Sequence, residues 1–145
     1  MVGEAAPDFT LEDQFGNEFN LYKNLLQKIL LIFYPKDNTL VCSRQLSDYQ
    51  MNKEEFSNLG IKLVTINSDS AEKHRDFAGN CGLDFTMLSD PEKDVCRKYN
   101  AVNLFGGIKR KMVLISKERK ILFEDEVLSI NYRTTEQLKS RLSNL

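Results

Sequence analysis

Apolar and polar positions along this chain change period from one short block to the next, and each change marks an element. Ile29-Leu30-Leu31-Ile32-Phe33-Tyr34 is an unbroken apolar run of strand length, the pattern of a strand covered on both faces. Pro35 ends it. Past the following loop, Leu46, Tyr49, Phe56 and Leu59 recur at helix-like spacing with no proline between them, which predicts a helix from about 41 to 59. Residues 61–66 predict a second buried strand, so this stretch reads as one βαβ unit with a right-handed crossover. Upstream, residues 8–12 and 18–21 alternate around Gln14-Phe15-Gly16-Asn17 and predict a small hairpin. Downstream, Ser70 is placed to cap a helix running to about Cys81, with Gly82 to stop it. Residues 85–88 read as a short strand, and Asp90-Pro91-Glu92 carries a cap, a proline and an acid at the start of a helix that includes Cys96. Residues 109–116 and 120–126 read as two strands, followed by a closing helix from about 134 to 145. Strands early and late with helices between them predict an α/β fold for a single domain over 1–145: a central mixed β-sheet flanked by helices on both faces, with an N-terminal β-hairpin.

Charge and composition narrow the function classes. A net charge of −1 with no basic stripe argues against nucleic acid, whose binding rests on clustered Lys and Arg. The apolar runs are strand-length, far short of the ~20 residues that span a bilayer, and Met1-Val2-Gly3-Glu4 lacks the start of a signal peptide. A soluble, cytoplasmic protein without membrane contact is the expectation. Three cysteines with no C-x-x-C pair make no disulfide scaffold, so in a reducing compartment they point to catalysis or packing.

Cys42 stands out because the strand–loop–helix pattern puts it in the first helical turn. Unsatisfied N–H groups and the positive end of the helix dipole favour an anion there, so the position suits a thiolate nucleophile. Cys42 also admits a plainer reading as a small buried hydrophobe. Thr39 is placed to be an N-cap, and of Lys109, Arg110 and Lys111, alternating along a strand, only part can face a pocket. His74 has no partner in the sequence and reads as an ordinary exposed or capping histidine. Scattered Cys and His residues lack ligand spacing, so neither metal nor other cofactor is expected.

The residues quoted so far resemble the peroxiredoxins, and within them the bacterioferritin comigratory protein (PrxQ) group. Four landmarks carry the resemblance: Ala6-Pro7-Asp8-Phe9-Thr10-Leu11; Phe33-Tyr34-Pro35-Lys36-Asp37 with Thr39 and Cys42 at P-x-x-x-T-x-x-C spacing; Leu88-Ser89-Asp90-Pro91; and Gly107-Ile108-Lys109-Arg110 opening a strand. The resemblance implies a thioredoxin-like fold and thiol-dependent reduction of hydrogen peroxide and organic hydroperoxides. It implies that Cys42 is the peroxidatic nucleophile and becomes a sulfenic acid, that Thr39 aims its hydroxyl at peroxide and thiolate, that Pro35 shields the pocket from water, and that Arg110 holds thiolate and developing charge. It also implies a thioredoxin or similar dithiol as reductant, and a monomer.

The sequence departs from the group at several positions. Leu40-Val41 stands where the group usually has Pro-Gly, which predicts a tighter, more apolar pocket wall. Gln45 replaces the usual Glu and removes a charge that could orient Arg110. Ser47 occupies the place, five residues after Cys42, where many members carry the resolving cysteine. By the resemblance Cys81 is then the candidate resolving thiol, since other members carry theirs on that helix, although the usual position aligns with Ala78. A Cys42–Cys81 disulfide is the expectation; the alternatives are a one-cysteine peroxidase resolved by an outside thiol and a binding module that has lost activity. Cys96 reads as structural.

Overall fold

The computed structural model describes residues 1–128 and 130–145. The strands are β1 (Thr10–Glu12), β2 (Glu18–Asn20), β3 (Lys28–Phe33), β4 (Ile61–Asn67), β5 (Thr86–Ser89), β6 (Arg110–Ile115) and β7 (Ile121–Val127), and the helices are α1 (Leu40–Met51), α2 (Lys53–Asn58), α3 (Ala71–Cys81), α4 (Asp94–Lys98) and α5 (Thr135–Leu142). Among the described residues the strands form one sheet in the order β2-β1-β5-β4-β3-β6-β7. It is mixed as predicted: β3, β4 and β5 run parallel, while β6 and β7 and the β1–β2 hairpin are antiparallel to their neighbours.

The apolar run at β3 is central because it pairs on both edges, Leu30 with Leu63 on one side and with Leu114 on the other. Successive side chains of a strand point to opposite faces, so the run splits between two cores. Ile29, Leu31 and Phe33 join Val113 and Ile115 under α4 and the N-terminal segment. Leu30, Ile32 and Tyr34 join Met112 and Leu114 under α1, α2, α3 and α5. Both sheet faces are thereby covered.

Two boundaries differ from the pattern reading. The helix expected over 41–59 is two helices, broken at Asn52, whose side chain donates to the Asp48 carbonyl at 2.8 Å and to the Asp48 carboxylate at 2.9 Å; such local side-chain bonds compete with helix continuation. The helix expected from Asp90 starts at Asp94, after Lys93 in the left-handed region at φ 61°. Asp90 still serves that helix, because its carboxylate accepts the Cys96 N–H at 2.8 Å from outside the first turn. The terminal signals of α3 read correctly, and the closing helix expected over 134–145 is α5, which stops at Leu142. The Ser70 side chain accepts from the Lys73 N–H, Gly82 sits at φ 64° as C-cap, and Thr134 forms a capping box with Gln137.

Candidate active site

Cys42 lies in the first turn of α1, where Ser43 N–H to Thr39 carbonyl at 2.8 Å is the opening helical bond. The sheet delivers its partner. In β6, Met112 and Leu114 face the α1 core while Val113 and Ile115 face the other, and Arg110, in step with Met112, therefore points toward α1. Its neighbour Lys111 turns the other way, donating to the Tyr99 carbonyl at 2.7 Å and pairing with Glu124 at 3.2 Å. Arg110 is the residue of its basic run that faces Cys42.

The guanidinium divides its donors. Arg110 Nη2 approaches Cys42 Sγ at 3.2 Å and Nη1 donates to Gln45 Oε1 at 2.5 Å, with Cys42 and Gln45 both 0% exposed. The guanidinium thus sets a fixed positive charge directly against the Cys42 sulfur. The Glu-to-Gln departure removes a charge but keeps an acceptor, so the orienting network survives. It also continues outward: Gln45 Nε2 donates to the Tyr49 hydroxyl at 3.2 Å, and that hydroxyl donates to the Arg133 carbonyl at 2.6 Å. Arg133 in turn clamps Asp125 of β7 through Nε at 2.7 Å and Nη2 at 3.3 Å. Burial pushes the Tyr49 hydroxyl's pKa well up, which keeps it a donor.

The loop before α1 holds the other expected residues. Pro35 is half-buried beside Tyr34. Thr39 occupies the N-cap position with extended backbone, but its side chain makes no capping bond; its hydroxyl donates to the Lys36 carbonyl at 3.2 Å. Leu40 does not tighten the pocket wall as expected, because it is 66% exposed and faces solvent. Cys81, the last residue of α3, is half-buried and packs against the same apolar cluster that contains Cys42. Cys96 is buried on the opposite face, and burial together with the Asp90 carboxylate pushes its thiol pKa up, consistent with a packing role.

One set of residues was not expected. His74 is buried, not exposed or capping, and its Nδ1 lies 2.5 Å from Asp37 Oδ2. Tyr34 and Asn67 donate to the other oxygen of the same carboxylate at 2.5 and 3.0 Å. Local pattern carries no signal for this, because the partners come from the β3–α1 loop, β4 and α3 and meet only when these pack together.

Known proteins are similar to this chain over most of its length. The AhpC/TSA family matches residues 2–123. The bcp peroxiredoxin of Helicobacter pylori strain 26695 is 35% identical over 122 residues, covering 79% of this chain and 80% of that protein; the bcp peroxiredoxin of Coxiella burnetii is 35% identical over 124 residues, covering 81% and 82%. Among solved structures, the peroxidoxin BcpB of Mycobacterium tuberculosis superposes with a TM-score of 0.88 at 24% identity, over 99% of this chain and 97% of the other. AhpC of Enterococcus faecalis does so with a TM-score of 0.90 at 21% identity, over 99% and 90%.

Fold and site together define a thioredoxin-like protein built around one buried, arginine-paired thiol. The chain belongs to the AhpC/TSA family, among the peroxiredoxins of the bcp and Q type, and is a thiol peroxidase.

Proposed function

We propose that Cys42 is the peroxidatic thiol, and the observation that carries the reading is its placement in the first turn of α1 with Arg110 Nη2 at 3.2 Å. The thiolate attacks one oxygen of the hydroperoxide, the S–O bond forms as the O–O bond breaks, and the departing oxyanion takes a proton to leave as water or an alcohol. Cys42 is left as a sulfenic acid. The same guanidinium that faces the thiolate supports the charge that moves onto the leaving oxygen. Thr39 is assigned to peroxide binding, which takes a rotation of its hydroxyl away from the Lys36 carbonyl; Pro35 shields the pocket mouth.

Cys81 is assigned as the resolving thiol. Its sulfur attacks the Cys42 sulfenic sulfur, an S–S bond forms and water leaves; a thioredoxin-type dithiol then exchanges with the disulfide, restoring both thiols and becoming oxidised itself. What supports this is the shared apolar cluster of the two cysteines and the position of Cys81 at a glycine-capped helix end, where fraying is easiest. An intramolecular bridge of this kind needs only one chain, which fits a monomeric, cytoplasmic enzyme.

The deciding experiment is a non-reducing peptide map by mass spectrometry after one equivalent of hydrogen peroxide is added to the fully reduced protein. A Cys42–Cys81 linkage within one chain is the expected product. Oxygen on Cys42 with Cys81 still a free thiol would replace the two-cysteine cycle by a one-cysteine one. No oxidation at Cys42 would remove it from the role of nucleophile.

A further inference from the structure

Cys42 is 0% exposed and Cys81 is half-buried on another helix, so any disulfide that Cys42 forms, inside the chain or with a partner, requires its loop to open. A buried polar couple ties that loop to α3. Asp37 is 3% exposed, and His74, Tyr34 and Asn67 are all 0% exposed. The Asp37 carboxylate receives Tyr34 Oη at 2.5 Å and Asn67 Nδ2 at 3.0 Å on one oxygen and meets His74 Nδ1 at 2.5 Å on the other. Its backbone N–H donates to Asp69 Oδ2 at 2.7 Å, and Asp69 is itself held by Asn67 Nδ2 at 3.2 Å and Lys73 Nζ at 3.3 Å.

The proton inventory follows from the partners. His74 Nε2 faces the Leu88 carbonyl at 3.1 Å, which only accepts, so Nε2 carries a proton. Oδ1 of Asp37 already has two donors. The short Nδ1···Oδ2 contact is therefore a bridge holding one shared proton, and the couple is neutral as a whole. Breaking it leaves Oδ2 of a buried carboxylate and Nδ1 of a buried imidazole unpaired while their other bonds persist, which is unfavourable in an interior position.

The couple spans two parts of the molecule that the reaction has to move. Asp37 lies in the loop that leads into the first turn of α1 and Cys42, and His74 lies on α3, upstream of Cys81 on the same helix. We propose that Asp37 and His74 are positioning residues forming a latch, so that opening of the Cys42 loop and loosening of α3 occur together rather than independently. The closed latch keeps Cys42 beside Arg110 for peroxide; the open latch frees both thiols for resolution.

Hydrogen–deuterium exchange followed by mass spectrometry on the reduced protein tests this without peroxide, and so stands apart from whether Cys42 is the nucleophile. His74→Gln, a change on α3, is expected to speed exchange over residues 36–43 as well as 73–82 by on the order of 100-fold, with β6 and β7 unchanged. Asp37→Ala, a change in the loop, is expected to speed exchange over 73–82 as well as 36–43, because coupling between two sites is reciprocal. Asp37→Asn is expected to stay within about threefold of the natural protein, since its amide can still accept from Tyr34 and donate to a neutral His74. A second readout rests on the proposed function: in His74→Gln the reaction of Cys42 with peroxide slows while conversion of the sulfenic acid to disulfide speeds up. Loosening confined to the mutated segment, or a uniform rise that includes β6 and β7, would overturn the latch. If His74→Gln does not fold, the spread of exchange from the loop to α3 in Asp37→Ala decides the question alone.

Discussion

The Arg110 guanidinium sets Nη2 at 3.2 Å from Cys42 Sγ and Nη1 at 2.5 Å from Gln45 Oε1, a division of donors that a planar fork allows and a single ammonium does not. Arg110→Lys is expected to keep the charge but lose one of the two contacts, and the second-order rate constant for peroxide should fall roughly 100-fold, the scale seen when one oriented donor to a developing oxyanion is removed. Stopped-flow peroxide reduction measures it, and a rate within threefold of the natural protein would show that charge alone suffices. Gln45→Glu makes a different point. Gln45 accepts from Arg110 and donates to Tyr49, whose own proton goes to the Arg133 carbonyl. A carboxylate can accept only, so Tyr49 must turn its proton inward and abandon that carbonyl. The expected loss is about 1–3 kcal/mol of stability, the scale of one unmet buried hydrogen bond, read from urea unfolding.

Helix ends set the behaviour of both thiols at the scale of elements. The start of α1 gathers unsatisfied N–H groups around Cys42, while the end of α3 hands Cys81 to a glycine cap at φ 64°. An added Cβ at Gly82 would meet no atom within 4 Å, so Gly82→Ala acts through backbone strain alone. It is expected to lower stability by about 1 kcal/mol and to fray the last turn of α3. Iodoacetamide should then label Cys81 several-fold faster in the reduced protein, with Cys96 labelling unchanged. Equal labelling of Cys81 in both proteins would mean that the cap does not control access to it.

Burial on both faces of the sheet gives the whole molecule a shared response to alkali. Desolvation first, with the Asp90 carboxylate adding to it, raises the pKa of Cys96, and desolvation likewise dominates for Tyr34, Tyr49 and Tyr99. Each group is neutral when protonated, so the folded state holds its proton more tightly than the unfolded chain. Their contribution is complete below the unfolded pKa and is lost as pH rises above it. Stability should therefore begin to fall near pH ~8.5 through Cys96 and fall more steeply above ~10 as the tyrosines join, at up to about 1.4 kcal/mol per pH unit for each group. Urea midpoints across pH 7–11 measure this. Cys96→Ala should delay the onset toward pH ~10 whatever its own offset, and an unchanged onset would exclude Cys96 as its source.

The local grammar of the chain was enough for most elements and for placing Cys42 in the first turn of a helix. An apolar run stopped by Pro35, a serine cap, a glycine stop and strand-period blocks are each readable without the fold, because period and capping depend on neighbours in sequence. Cys42 was legible by its place in a helical turn, whereas the alternating basic run left Arg110 to be picked out by the family resemblance alone. The break at Asn52 and the late start of α4 were not, since apolar period carries no sign of an Asn side chain folding back on the preceding turn or of Lys93 adopting φ 61°. Only the tertiary structure decided that Gln45 could replace a charge without breaking the network, that Leu40 faces solvent, and that His74 is buried against Asp37. Those outcomes rest on desolvation and on donors arriving from distant strands, and neither exists until the sheet has brought β3, β4, α3 and β6 together.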